Sequence, residues 1–166
     1  MEVVEGRADI DDVGAFVARV DAIGEDHAVT VQAFDARYVV DRAHMERAVD
    51  LAVRARERGD TIADDFGVEI LLYAAGRRQI NRALEMGVDR GDCPVVAVVV
   101  GRETDGDVSA AVTDLRDQLT PAETLGDYDE GRVRDFFGVD DIELAATEGT
   151  LADAVRERVA LLPVEK

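Results

Sequence analysis

The chain has 166 residues and a formal net charge of −18, with 37 acidic side chains against 19 lysines and arginines. This length is that of one domain, and a hydrophobic fraction of 47% is sufficient for a core. No apolar run reaches the roughly 20 residues that span a bilayer, and residues 1–9 show no signal peptide. We therefore expect one soluble cytoplasmic domain over residues 1–166, with no membrane partner.

The acidic surface is expected to repel itself at low salt. Because salt near 1 M shortens the Debye length to about 3 Å, we expect a halophilic source. In such a source net charge says little about RNA binding, and local clusters of arginine matter more. The only cysteine, Cys93, excludes an intrachain disulfide and is expected to be buried. One cysteine with two histidines is a poor metal set, and we expect no cofactor.

Apolar spacing predicts the secondary structure. Strands are expected over residues 2–8, 28–34 and 94–100, helices over 9–20, 41–58, 65–75, 77–86, 108–119 and 150–162, and a short apolar turn or helix over 133–139. Asp9 or Asp11 is expected to cap the first helix, and Asp64 the third. The valine-rich strand over 94–100 is expected to be central and covered on both faces. This pattern predicts an α/β class: a single-domain, two-layer mixed fold with a small central sheet and helices predominating.

Two arginines follow Gly76, where the spacing predicts the start of the helix over 77–86. Arg77 and Arg78 would oppose the dipole of that helix unless an anion is bound there. The segment is typical of a phosphate or sugar-phosphate cradle. Its candidate residues are Gly76, Arg77, Arg78, Gln79 and Arg82, with Asn81 adding amide groups. The alternative is that the arginines pair with nearby carboxylates such as Glu85 or Asp89.

His44 is expected in the first turn of the second helix, near Arg42 and Arg47. It is either an exposed polar residue or a group that hydrogen-bonds or stacks on a base. The stretch "VVVGRETDGD" over residues 98–107 predicts a strand, a turn at Gly101 and a helix, an arrangement that can hold a nucleotide. It contains neither G-x-G-x-x-G nor a P-loop. No catalytic constellation is found, so we expect no enzyme.

The predicted last helix has an apolar stripe formed by Leu151, Val155, Val159 and Leu162. A terminal amphipathic helix either packs on its own core or offers part of its surface to a partner. The stripe alone leaves both possibilities open.

Residues 64–88, "DDFGVEILLYAAGRRQINRALEMGV", resemble a stretch in archaeal KEOPS tRNA-modification subunits of the PRPK-binding-protein family. The shared features are a hydrophobic helix with Glu-Ile-Leu, a small-small-Gly break, and x-R-Q-I before a short helix. An early histidine in the second helix, a valine-rich strand after the motif, and a final helix of the form V-x-E-[KR]-[VI]-A-L extend the resemblance over nearly the whole chain. In this chain they correspond to His44, residues 95–100 and residues 155–161.

The resemblance implies a non-catalytic accessory subunit. KEOPS makes the threonylcarbamoyl modification on an adenosine beside the anticodon of tRNA, and a separate subunit transfers the group. Members of this family dock on a small PRPK-type kinase or ATPase, support its ATPase function and, in archaea, recruit tRNA through its 3′ CCA end. Contacts with the other KEOPS subunits are then indirect.

With this resemblance, the arginine segment becomes a predicted RNA site. Its residues are Gly76, Arg77, Arg78, Gln79, Ile80, Asn81, Arg82, His44 and Arg42. The last helix becomes a predicted kinase-docking surface made of Leu151, Val155, Arg158, Val159 and Leu162, with Arg156 also at its rim. Two alternatives remain: a small-ligand-binding or enzymatic α/β domain that uses the Gly101 turn, and a kinase-docking scaffold that binds no RNA.

Overall fold

A computed structural model describes residues 1–102, 106–146 and 149–165. This part of the chain forms three strands and eight α-helices, with 3₁₀ turns at Ala36–Tyr38 and Leu84–Met86. In chain order the elements are β1 (Glu2–Ile10), α1 (Val13–His27), β2 (Val29–Asp35), α2 (Arg42–Glu57), α3 (Phe66–Ala75), α4 (Ile80–Ala83), β3 (Gly91–Gly101), α5 (Val108–Asp117), α6 (Glu130–Phe137), α7 (Asp141–Ala146) and α8 (Leu151–Glu165). No helix in the described ranges has the length and apolar character needed to span a membrane.

The sheet has the order β1-β3-β2, and β3 is antiparallel to both neighbours. β1 and β2 therefore run in the same direction on either side of β3, and α1 connects them. Ala97 at the middle of β3 stands between Val4 of β1 and Ala33 of β2. The prediction that the valine-rich segment forms the central strand is confirmed.

Helices cover both faces of the sheet, because both sets of β3 side chains are apolar and need cover. Val96, Val98 and Val100 join the core formed with α2, α3, α6 and α8. Val95, Ala97 and Val99 join the core formed with α1 and α5. The α/β class, the small sheet and the predominance of helices are confirmed. The sheet lies between two helical layers, however, where the sequence predicted two layers in all.

Two helices begin later than the sequence predicted. β1 continues its pairing with β3 as far as Ile10, which lies opposite Gly91. α1 therefore begins only at Val13, and its cap is Asp12 instead of Asp9 or Asp11. α3 is capped by Asp65 instead of Asp64. In both helices the residue directly before the first turn is the one whose carboxylate accepts from a free backbone N–H.

The segment after α3 differs most from the prediction. The helix expected over 77–86 is reduced to the single turn α4 and the 3₁₀ turn after it. α7 was not predicted, because none of its residues is buried and it has no apolar stripe. α8 begins at Leu151 and confirms the predicted terminal helix.

Candidate functional site

Arg77 and Arg78 lie in a loop that follows the end of α3 and precedes α4. Gly76 ends α3 in the left-handed region at φ +61°, and the Arg77 N–H donates to the Leu72 carbonyl oxygen at 3.1 Å. Positive charge is favourable after the C-terminal end of a helix. The prediction that the two arginines oppose a helix dipole is therefore wrong.

The side chain of Arg77 is bound to α6. Its guanidinium donates to the carbonyl oxygen of Phe136 and lies 5.3 Å from the centroid of the Phe136 ring. From α8, Arg158 donates to the carbonyl oxygens of Phe137 at 2.6 Å and Gly138 at 3.0 Å. Two arginines thus bind the last carbonyl groups of α6, where a helix attracts cations. Arg77 connects the loop after α3 with this helix.

The outer side of α4 collects most of the predicted RNA-binding residues. Arg78, Gln79, Asn81 and Arg82 are exposed there. Ile80 and Leu84 are 46% and 56% exposed. Arg82 also pairs with Glu85 at 3.1 Å, as the electrostatic alternative predicted. We call this outer side, residues 78–84, the α4 surface.

His44 lies in the core and not on the surface. The Val40 N–H donates to its Nδ1 at 3.3 Å, so Nε2 carries the proton and donates to the Ala74 carbonyl oxygen at 2.7 Å. Its ring is fully buried and packs edge-on against Phe137. Burial lowers the pKa of His44 to about 4. The prediction that His44 contacts RNA is therefore wrong, and the residue instead joins the start of α2 to the end of α3.

Arg42 stands near the same end of α2 but points elsewhere. It is exposed and lies 3.7 Å from Glu46, one turn along the helix. Arg156 of α8 binds Asp41, the capping residue of α2, and also Asp153. These contacts bring the start of α2 against α8.

The apolar stripe of α8 faces inward. Leu151, Val155, Val159 and Leu162 are all buried against α2, α3 and α6. These four side chains anchor α8 to the core. The prediction that they contact the kinase is therefore wrong. The exposed side of α8 carries Glu157 and Leu161.

Like Leu161 of α8, one apolar side chain of α7 is exposed. Ile142 is 79% exposed and Leu161 of α8 is 42% exposed. Between the two helices, Arg158 binds both carboxylate oxygens of Glu143 at 2.9 Å. We call the surface formed by Ile142, Glu143, Glu157, Arg158 and Leu161 the α7–α8 face.

Glu69 is a structural residue whose role the sequence did not reveal. It is completely buried in α3 and accepts hydrogen bonds from the backbone N–H groups of Ile62 at 2.9 Å and Ala63 at 2.8 Å. These bonds hold the segment between α2 and α3. The sequence signal for this role is an acidic residue inside an otherwise apolar helix. A carboxylate buried in this way requires hydrogen-bond donors from another segment.

The Gly101 turn, proposed as an alternative ligand site, follows a strand that is antiparallel to both of its neighbours. Nucleotide sites of the kind that motivated this alternative lie at the ends of parallel strands. Residues 103–105 of the turn lie outside the described residues.

The fold and these surfaces define a small α/β protein with a few exposed apolar side chains set among charged ones. The profile of the family described as kinase binding protein CGI-121 matches residues 9–162, and the chain therefore belongs to this family of kinase-binding proteins. A comparison with curated proteins finds no match to the chain.

Proposed function

We propose that the chain is a non-catalytic accessory subunit of the KEOPS complex, in the cytoplasm of a halophilic archaeon. It binds and supports the small PRPK-type kinase or ATPase, and it recruits tRNA by the 3′ CCA end. The family match over residues 9–162 carries the kinase part of this proposal. The net charge of −18 supports the halophilic source.

The kinase docks on the α7–α8 face. Apolar anchors surrounded by polar groups dominate the energy of protein interfaces. Ile142 and Leu161 provide such anchors, and the ion pair between Arg158 and Glu143 fixes the two helices that carry them. The buried stripe of α8 keeps the helix in place without touching the kinase.

The 3′ end of tRNA binds the α4 surface. Unpaired nucleotides are bound by a combination of base stacking and phosphate neutralisation. Ile80 and Leu84 offer apolar surface for bases, and Arg78 and Arg82 offer positive charge for phosphates. Arg77 and Gly76 shape the loop that precedes this surface. Arg42 remains a predicted contact.

Kinase docking is tested with a matched pair of variants and the purified partner kinase. Leu161→Asn is expected to weaken binding at least about tenfold, because it removes an apolar anchor. Val17→Asn is the control, since Val17 on α1 is 40% exposed, close to the 42% of Leu161. Calorimetry in molar KCl measures both affinities, and circular dichroism verifies folding. Unchanged affinity of folded Leu161→Asn would exclude docking on this face.

RNA binding is tested across a salt series with intact tRNA and with tRNA that lacks its terminal CCA. We expect removal of the CCA end to abolish binding. We expect Arg82→Glu to weaken binding and to reduce the slope of log affinity against log salt concentration by about one, the value for one phosphate contact. Arg132→Glu is the control, because Arg132 on α6 is similarly exposed and is also paired within its own turn, with Asp129. Equal binding of both tRNAs would indicate another RNA surface. No binding at any salt concentration would favour the kinase-docking scaffold.

A further inference from the structure

The free edge of the sheet lies on β2. Residues of an antiparallel strand direct their backbone groups alternately to one neighbour and to the other. Arg7 of β1 directs its groups away from β3, because they exchange bonds with Thr120 at 2.9 and 2.7 Å. Arg7 stands opposite Pro94, so Pro94 and every second residue after it direct their backbone groups toward β2.

This alternation determines which groups of β2 are available. Gln32 and Phe34 lie opposite Val98 and Val96 and pair with β3. Val31 and Ala33 therefore direct their N–H and C=O groups to the open side. In agreement, the side-chain amide of Gln32 donates to the Ala33 carbonyl oxygen at 3.0 Å. Among the described residues no strand covers this edge, whereas Thr120 bridges the outer edge of β1.

A groove of about 370 Å³ follows this edge between α1 and α3. Its walls are the aliphatic side chains of Val17, Val20, Val68, Leu71, Leu84 and Val88. A second depression of about 350 Å³ shares Val31 with the first and extends to Val29. Together they follow β2 from Ala33 to Val31. At Val29 the last turn of α1 covers the edge, since a Cβ atom at Gly24 would lie 2.8 Å from the Val29 carbonyl oxygen. We call them together the β2 groove.

The rim of the β2 groove is acidic. Asp21 and Glu25 stand on the α1 side, and Asp64 and Asp65 stand at the start of α3. The one cation among the described lining residues, Arg102, is paired with Glu25 at 2.8 Å. Burial raises the pKa of Asp21, and the charges of Asp65 and Glu25 raise it further. A cation in the groove would relieve this repulsion.

We propose that the β2 groove binds an extended segment of a partner protein, rich in aliphatic and basic side chains, as an additional strand beside β2. The N–H and C=O groups of Val31 and the N–H group of Ala33 pair with such a segment, while the Ala33 carbonyl oxygen keeps its bond from Gln32. Aliphatic side chains of the segment fill the apolar walls. Its lysines or arginines meet the rim carboxylates. The rim repels RNA phosphates, and it repels a second copy of this acidic chain.

This site is separate from the proposed kinase site. Val68 and Leu71 of α3 line the β2 groove, whereas Gly76 at the end of the same helix packs against α8. The β2 groove and the α7–α8 face share no residue. The segment and the kinase therefore occupy different surfaces, whereas Leu84 belongs both to the groove and to the α4 surface proposed for tRNA.

The probe is a labelled peptide of alternating arginine and valine, added to the full chain in molar KCl. Fluorescence anisotropy measures its affinity. We expect N-methylation of one set of alternate amides to weaken binding about tenfold, because those amides pair with β2, and methylation of the other set to have no effect. Equal effects of the two sets would overturn the proposal. So would equal binding of a peptide with glutamate in place of arginine at the lowest salt concentration at which the chain is folded, where charges are least screened.

Variants of the protein test the location of the site. Val17→Asn is expected to weaken peptide binding about tenfold and to leave kinase binding unchanged, while Leu161→Asn has the opposite pattern. Amide signals of Val31 and Ala33 are expected to shift on peptide addition. Weakening of tRNA binding by Val17→Asn, which lies in the groove wall outside the α4 surface, would assign the β2 groove to RNA and overturn the proposal. Because the peptide assay uses neither kinase nor tRNA, its failure is distinguishable from failure of the proposed function.

Discussion

Gly76 at the end of α3 packs directly against the backbone of Arg158 in α8. A Cβ atom at Gly76 would lie 3.2 Å from the Arg158 carbonyl oxygen, and Gly76 also has φ +61°. The loop that leads to the α4 surface and the helix that carries the proposed kinase anchor are thus in contact. Only glycine satisfies both the left-handed backbone and the close approach.

We expect Gly76→Ala to lower the free energy of unfolding by more than the roughly 1–2 kcal/mol of a left-handed backbone alone. Gly59→Ala separates the two causes, since Gly59 has φ +67° and no atom within 4 Å of its added Cβ. Chemical denaturation of both variants in molar KCl measures the difference. Equal losses would show that the contact with α8 tolerates a side chain.

Arg77 is expected to stabilise the fold and not to contact RNA. Arg77→Gln removes the bond to the Phe136 carbonyl and the ring contact, and should lower the free energy of unfolding by about 1–3 kcal/mol. Arg132→Gln is the surface control, expected to change stability by less than about 0.5 kcal/mol. Under conditions where Arg77→Gln is folded, its tRNA affinity should equal that of the unmodified chain. A selective loss of tRNA binding without a loss of stability would return Arg77 to the RNA site.

The buried neutral His44 predicts a specific loss of stability in acid. Its pKa of about 4 in the folded state lies below the ordinary value of 6.5, so the unfolded chain binds more protons between these values. Above pH 6.5 the neutral His44 side chain makes its full contribution to the free energy of unfolding. As the pH falls to about 4, the free energy of unfolding decreases by about 3 kcal/mol.

The measurement is urea denaturation of the unmodified chain and of His44→Gln between pH 7.5 and pH 4. The difference between the two curves removes the titration of the many carboxylates, which both proteins share. We expect the stability of the unmodified chain to fall relative to the variant as the pH decreases. Parallel curves would contradict the buried neutral imidazole.

The buried carboxylate of Glu69 is expected to tolerate even a conservative change poorly. Glu69→Gln replaces one accepting oxygen with an NH₂ group that faces the backbone donors of Ile62 and Ala63. We expect a loss of about 1–3 kcal/mol and faster hydrogen exchange at these two amides. Glu46→Gln on the exposed side of α2 should have little effect. Similar effects of the two changes would exclude the proposed role of Glu69.

Salt dependence tests the proposed halophilic source. With a net charge of −18, repulsion between carboxylates weakens as added salt screens it. The midpoint of thermal unfolding is therefore expected to rise steadily from dilute buffer to molar KCl. Full stability in dilute buffer would remove this proposal.

Local patterns of the sequence were sufficient for much of the fold. The uninterrupted apolar run of β3 predicted a central strand covered on both faces, and helical spacing predicted the buried α3 and the terminal helix. Gly76 marked the end of α3 correctly. These features depend on residues close together in the chain, whose periodicity records which sides are buried. The α7 segment was missed because it buries none of its residues.

The site depended on contacts between residues far apart in the chain. Arg77 meets Phe136, and His44 meets Ala74, and no local pattern encodes either contact. An arginine beside a glycine suggests an anion site in the sequence, yet in the fold it binds the carbonyl end of another helix. Charge, apolar spacing and chain breaks were determined by the sequence itself. Which polar groups remain available to a partner was decided by tertiary structure, because packing buries a polar group only where another element supplies its hydrogen-bond partner.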